Sequence, residues 1–150
     1  MRCGALDEPR CFNFGAVGTG GTPVIRYDKV MPFQITTTRS FSAAHQLVLY
    51  DGSLEPVHGH NWKVKVTVSA AKLDAIGVVM DFHELERGVD SIVVPMHNHH
   101  LNELPAFARL NPSAENVAML VGTSLRLPDP VRLEAVEVWE TDGNSAVYRP

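Results

Sequence analysis

The chain has 150 residues, of which 45% are hydrophobic and 20% are charged, and its formal net charge is -4. This length and composition are those of one globular domain with a hydrophobic core. No basic stripe is present, so we expect no nucleic-acid partner. No apolar run approaches the roughly 20 residues of a membrane helix, and no secretory signal is recognisable. We therefore expect a cytoplasmic protein with no membrane partner.

The first 31 residues predict a flexible leader that precedes a folded domain of residues 32–150. The leader contains GAVGTGGTP, which suits neither a helix nor a regular strand. A phosphate-binding loop is disfavoured, because no Lys-Ser or Lys-Thr pair follows these glycines. The two cysteines, Cys3 and Cys11, lie in this leader. Two thiols in such a segment do not indicate a disulfide framework.

Two stretches after the leader alternate apolar and polar residues, which is typical of β-strands. The first extends from Phe33 to His45. In the second, HNWKVKVTVSA, every other residue from His60 onward shares one face, and Lys63 and Lys65 lie on the opposite face. One buried and one wet face predict an antiparallel sheet.

Two helices and two further strands are predicted in the rest of the chain. Asp81 can cap a helix over about residues 82–93, and a second helix begins within NPSAEN. RLEAVEVWET and SAVYR then predict two strands joined by an Asp-Gly turn. The order ββααββ predicts an α+β fold, in which two helices cover one face of a four-stranded antiparallel sheet.

Three histidines have a spacing that suits a metal site. His58 and His60 are two residues apart, so on a strand they point to the same side. His45 ends the preceding predicted strand and joins them if the two strands pair. Three neutral imidazoles with an open fourth position are typical of catalytic zinc. On spacing alone, histidines without a metal remain the alternative, because an H-x-H pair is weak evidence.

Seven short motifs resemble those of the 6-pyruvoyl-tetrahydropterin synthase family, which includes the 6-carboxy-tetrahydropterin synthases. In chain order they are FSAAH, HGHNW, GVVMDF, HLN, NPSAEN, VEVWET and AVYRP. The resemblance implies the tunnelling fold, in which ββααββ subunits join into barrels. It implies a homo-oligomer, commonly a hexamer, with active sites at subunit interfaces. It also implies a Zn²⁺ cofactor bound by His45, His58 and His60.

The resemblance further implies a small-molecule pterin substrate. Glu140 corresponds to the family's pterin anchor, and a carboxylate can accept two parallel hydrogen bonds from the ring N–H and amino group of a pterin. Glu115 corresponds to a second acidic residue near the pterin in some members. The alternatives are an ordinary exposed strand carboxylate for Glu140 and a first-turn helix glutamate for Glu115.

The residues expected to move protons depart from the family pattern. Leu54 stands where the family usually has a catalytic cysteine, and the adjacent Glu55 becomes the candidate general base. The usual Asp-His pair becomes His97 and Asn98. Asn98 cannot shuttle protons, whereas His97 or His99 can. A solvated loop glutamate and a histidine-rich loop without catalytic role remain the alternatives.

These departures argue against ordinary 6-pyruvoyl- or 6-carboxy-tetrahydropterin synthesis, but not against zinc or a pterin. Family members with a glutamate in this region resemble dihydroneopterin aldolases. The sequence therefore predicts a zinc-dependent lyase that cleaves the side chain of dihydroneopterin or its triphosphate by retro-aldol chemistry. The alternatives are a synthase with a rearranged acid/base set, a zinc- and pterin-binding paralogue without catalysis, and an enzyme of specialised metabolism with another substrate.

Overall fold

The computed structural model describes residues 33–150, which form one four-stranded sheet and two α-helices. The sheet is antiparallel throughout, with the strand order β1-β2-β3-β4. The elements are β1 (Phe33–His45), β2 (His58–Ala70), α1 (Phe82–Val93), α2 (Ala114–Ser124), β3 (Arg132–Thr141) and β4 (Asn144–Tyr148). The predicted α+β fold and its ββααββ order are confirmed. The predicted leader, with Cys3 and Cys11, lies outside the described residues.

The β1–β2 hairpin sets the position of the histidines. Its register places His45 opposite His58 and Ala43 opposite His60. Side chains directly opposite each other in an antiparallel pair lie on the same face of the sheet. All three histidines therefore lie at one end of the hairpin, on the face that also carries the buried Trp62.

The hydrophobic core lies between this face of the sheet and the two helices. Alternate residues of the central strands point into it, as the sequence pattern predicts. Both helices contribute a buried stripe, and burying each such side chain stabilises the fold by about 1.5–3 kcal/mol. The fully buried members include Trp62, Val64, Val66, Val68, Val89, Val117, Val121, Val136 and Val138.

Side-chain caps fix where the helices begin. The Asp81 carboxylate accepts hydrogen bonds from the backbone N–H groups of His83 and Glu84, at 2.6 and 3.3 Å. Ser113 caps α2 by accepting from the N–H of Asn116 at 3.4 Å. These caps satisfy N–H groups that have no partner within the helix. Within the described residues, no helix is long and apolar enough to cross a membrane.

The histidine-rich segment between the helices lies along the outer edge of β1. The Asn98 N–H donates to the Ser42 carbonyl at 2.7 Å, and the Ala44 N–H donates to the His99 carbonyl at 3.1 Å. Asn98 has φ +59°, a left-handed conformation that asparagine adopts more readily than most residues. The segment therefore lies beside the end of β1 that carries His45.

Gly122 allows α2 to lie close to β4. A Cβ atom at this position would be 2.5 Å from Cδ1 of the Tyr148 ring. We expect Gly122→Ala to lower the free energy of unfolding by about 1–3 kcal/mol, the usual cost of overpacking. Urea unfolding measures this change. Gly143→Ala is the control, because no atom lies within 4 Å of its added Cβ, and equal stability of the two variants would contradict the prediction.

Candidate metal centre

Four side chains from three adjacent strands converge at one end of the sheet. They are His45 at the end of β1, His58 and His60 at the start of β2, and Glu140 near the end of β3. Each offers one possible ligand atom, and these four atoms all lie within 4.8 Å of one another. We call these four residues the metal cluster, because such a set could bind a metal ion.

Backbone carbonyl groups orient two of the imidazole rings. Nδ1 of His45 lies 2.8 Å from the Pro112 carbonyl oxygen, and Nδ1 of His58 lies 2.9 Å from the Pro56 carbonyl oxygen. A carbonyl oxygen only accepts, so Nδ1 must carry the hydrogen in both rings. In the neutral ring, Nε2 then carries no hydrogen and has a free lone pair. This outer hydrogen bond is the usual way in which a protein presents Nε2 to a metal.

Burial also favours the neutral form of His45. Desolvation is the largest cause that lowers the pKa of His45 below its ordinary value, and the nearby His58 and His60 lower it further. Hydrogen bonding to Pro112 and the negative charge of Glu140 oppose this shift without reversing it. A metal binds neutral imidazole, so the lowered pKa keeps His45 available as a ligand near neutral pH.

Two buried nitrogen atoms in the cluster lack hydrogen-bond partners. Nε2 of His45 and Nε2 of His60 are both buried and make no hydrogen bond. A buried polar atom without a partner is costly, and a bound ion would remove that cost. Imidazole nitrogen and carboxylate oxygen are ligands that zinc accepts in four-coordinate sites. The residues present therefore fit a zinc ion.

Trp62 supports the cluster from the core. Its ring lies edge-on to the rings of His45 and His60, with centroid distances of 4.9 and 5.7 Å. Its indole N–H donates to the Ala43 carbonyl at 3.2 Å. The alternation in β2 predicts that Trp62 lies on the buried face of the strand, but its contact with the histidines was not predicted. The signal was its position on the same strand face as His60.

Asparagine side chains fix the backbone that follows His45. The Asn102 side chain accepts from the Gln46 N–H at 3.0 Å and donates to the Gln46 carbonyl at 2.8 Å. Asn111 makes the same pair of bonds with Val48, at 2.8 and 3.0 Å. No role was predicted for either asparagine from the sequence, although both belong to the family motifs.

Glu55 lies outside the metal cluster but next to it. Its Oε1 atom accepts from the Leu47 N–H at 2.8 Å and lies 3.9 Å from Nδ1 of His58. The backbone N–H of Glu55 donates to the Leu47 carbonyl at 3.1 Å. The carboxylate is thus held beside a metal-cluster histidine. The neighbouring Leu54 is exposed and carries no group that can transfer a proton.

The candidate acid/base histidines occupy different environments. His97 Nδ1 accepts from the Ser42 N–H at 3.1 Å, so this ring helps to hold the segment against β1. His99 lines a pocket of about 470 Å³ together with His60 and His100. His100 was not predicted as a site residue, yet its Nε2 is buried and makes no hydrogen bond.

Glu115 is exposed in the first turn of α2 and is not a member of the metal cluster. It follows Pro112, whose carbonyl orients His45, by three residues. The geometry of the described residues therefore brings Glu140, but not Glu115, to the three histidines.

Comparison with known proteins shows to which family the chain belongs. The model of the 6-pyruvoyl tetrahydropterin synthase family matches residues 34–150. The chain is 34% identical over 131 residues to the human 6-pyruvoyl tetrahydrobiopterin synthase, covering 77% of this chain and 90% of that protein. The chain therefore belongs to the 6-pyruvoyl tetrahydropterin synthase family, and the resemblance in its motifs is confirmed.

Relatives with other activities match over a similar length. A dihydroneopterin monophosphate aldolase from Pyrococcus furiosus is 32% identical over 112 residues, covering 73% of this chain and 91% of that protein. Among solved structures, the Caenorhabditis elegans 6-pyruvoyl tetrahydropterin synthase has a TM-score of 0.67 and 24% identity, covering 80% of this chain and 97% of that one. The structural match confirms the fold. The sequence matches include both a synthase and an aldolase, both of which process pterins.

Proposed function

We propose that the chain is a zinc-dependent lyase that cleaves the side chain of dihydroneopterin or one of its phosphates by retro-aldol chemistry. One observation carries the proposal: a carboxylate, Glu55, lies 3.9 Å from His58, while Leu54 occupies the usual place of the family's cysteine. Similarity to an aldolase that acts on dihydroneopterin monophosphate supports the same reaction type.

In this proposal His45, His58 and His60 bind the zinc. When bound, zinc supplies a Lewis acid that lowers the pKa of a substrate hydroxyl. Glu55 accepts the proton of the second side-chain hydroxyl, and the hydrogen bond from Leu47 keeps its carboxylate oriented. The second side-chain carbon, which carries this hydroxyl, becomes an aldehyde as its bond to the first side-chain carbon breaks.

The electron pair of the broken bond passes to the carbon attached to the pterin ring, which takes up one proton. The products are 6-hydroxymethyl-dihydropterin and a two-carbon aldehyde. His99, in the pocket with His60, is the proposed donor of this proton, and His97 is the other candidate. Glu140 is the proposed anchor of the pterin ring, and Glu115 is the second proposed carboxylate.

We further propose that the protein works in the cytoplasm as a homo-oligomer, with active sites at subunit interfaces. Within residues 33–150, β1 and β4 each pair with only one other strand. Such edges present unpaired backbone groups that another copy can pair with, and closing a barrel removes them. Phe33 and Val147, one on each edge strand, are exposed hydrophobic residues that support this assembly.

The proposal is tested by identifying the products of the purified zinc-loaded protein. We expect 7,8-dihydroneopterin, its monophosphate or its triphosphate to yield 6-hydroxymethyl-dihydropterin, detected by mass spectrometry. A 6-pyruvoyl or 6-carboxy product from the triphosphate would instead identify a synthase. Binding without any product would indicate a non-catalytic paralogue. Neither binding nor turnover would indicate a substrate of another class.

A further inference from the structure

The loop that carries Glu55 packs little apolar surface into the core. Residues 46–57 join β1 to β2, and we call them the base loop. Apolar burial is the dominant force that fixes a segment against the rest of a fold. Since so many hydrophobic side chains of the base loop face solvent, its position depends on hydrogen bonds instead. The exposed ones are Val48, Leu49, Tyr50, Leu54 and Val57.

Side chains from other segments make the hydrogen bonds that reach the base loop. Asn102 and His58 bind residues next to the strand ends. Within residues 33–150, Asn111 alone reaches further into the loop. Its side chain accepts from the Val48 N–H at 2.8 Å and donates to the Val48 carbonyl at 3.0 Å. Asn111 is therefore the contact best placed to fix the middle of the loop.

Asn111 and Glu55 bind neighbouring residues from opposite sides. Leu47 donates its N–H to the Glu55 carboxylate at 2.8 Å, and its carbonyl accepts from the Glu55 N–H at 3.1 Å. The backbone groups of the next residue, Val48, point the other way and meet Asn111, as expected for successive residues of an extended chain. A planar peptide unit joins Leu47 to Val48. A shift of Val48 therefore moves Leu47, and with it the Glu55 carboxylate.

The turn that contains Asn111 also orients His45. The carbonyl oxygen of the next residue, Pro112, lies 2.8 Å from Nδ1 of His45. Asn116, in the first turn of α2, donates from its side chain to the Asn111 carbonyl at 2.8 Å, which holds the turn against the helix. One short segment thus contacts both the base loop and the metal cluster.

We propose that Asn111 is a positioning residue that fixes the proposed general base relative to the metal cluster. Its side chain holds the base loop, and its backbone belongs to the turn that orients His45. The separation between the Glu55 carboxylate and the histidines is therefore set through this one residue. The catalytic effect of Asn111 rests on the proposed function, whereas its hold on the base loop does not.

Amide hydrogen exchange of the whole chain, followed by NMR without substrate, tests the hold on the loop. Asn111→Ala removes both bonds to Val48. We expect the amides of Leu47 and Glu55 to exchange at least about tenfold faster, although the substitution leaves their own partners in place. Ser53→Ala, which removes a side-chain bond made wholly within the loop, is the control and should match the wild type. Faster exchange of the Val48 amide alone would overturn the proposal.

Steady-state kinetics tests the catalytic effect. We expect Asn111→Ala to lower kcat for dihydropterin cleavage by at least about tenfold, since a misplacement of about 1 Å can cost about 100-fold. KM and zinc content should stay at the wild-type values, because Asn111 is not a member of the metal cluster. Asn111→Asp keeps the side-chain shape but places an oxygen opposite the Val48 carbonyl oxygen, so kcat should fall in this variant too. Unchanged kcat in both variants would contradict the proposal.

A double variant distinguishes positioning of the base from a general structural role. If Asn111 acts through Glu55, adding Asn111→Ala to Glu55→Gln should lower kcat no further. Additive losses would show that Asn111 acts elsewhere and would overturn the proposal. If the wild type cleaves no dihydropterin, the proposed function and the catalytic effect both fail. The exchange of the Leu47 and Glu55 amides still decides whether Asn111 holds the base loop.

Discussion

Glu55→Gln is expected to lower kcat for cleavage of the dihydropterin side chain by about 10²- to 10⁴-fold, the usual contribution of a general base. Glutamine cannot accept the substrate proton at neutral pH. It keeps an oxygen that can accept from the Leu47 N–H, so the loop around it should remain in place. Steady-state kinetics measures the loss, and KM should change little because Glu55 acts in the chemical step.

Measuring the zinc content of Glu55→Gln distinguishes loss of the general base from loss of the metal site. Glu55 is not a member of the metal cluster, so we expect Glu55→Gln to retain one zinc per chain. Glu84→Gln, an exposed carboxylate in the first turn of α1, is the matched control and should keep wild-type kcat. Undiminished turnover by Glu55→Gln would remove Glu55 from the mechanism.

The second large effect is expected from His58→Ala. This change removes one of the three proposed imidazole ligands, and we expect zinc affinity to fall by at least about 100-fold, with turnover falling in parallel. The His58 side chain is 41% exposed, so its loss should disturb the fold less than loss of the fully buried His45. A competition titration with a chromogenic chelator measures the affinity.

His83→Ala is the control for histidine removal. His83 is exposed on α1 and pairs with Glu86 at 3.2 Å, outside the metal cluster. We expect it to retain wild-type zinc affinity. If His58→Ala bound zinc as tightly as His83→Ala, His58 could not be a ligand.

The sequence was sufficient to predict the elements of the fold, because each has a strong local signal. Alternation marks β2 as a strand, and Asp81 marks the start of α1 at the residue where the structure has it. The spacing of the three histidines predicts that they converge if the two strands pair, and the family motifs strengthened that expectation. The pairing of His45 with His58 could not be derived from spacing alone, since 12 residues separate the ends of β1 and β2 and leave the register open.

Contacts between segments that are far apart in the sequence could not be predicted from local sequence patterns. The placement of the histidine-rich segment along β1 depends mainly on two backbone hydrogen bonds, from Asn98 to Ser42 and from Ala44 to His99, which most residue types could make. The His97 side chain adds a third by accepting from the Ser42 N–H. For Glu140, by contrast, the sequence contains a pattern that indicates its position. This residue follows Val136 and Val138 at a spacing of two, which places it on the face of the histidines.

Zinc titration of the metal-free protein, with cleavage of a dihydroneopterin followed at each step, tests the central proposal most directly. A zinc-dependent lyase with one site formed by His45, His58 and His60 predicts no activity without metal. Activity should then rise in proportion to added zinc and stop rising at one zinc per chain. Full activity in the metal-free protein, or no activity at any zinc content, would contradict the account.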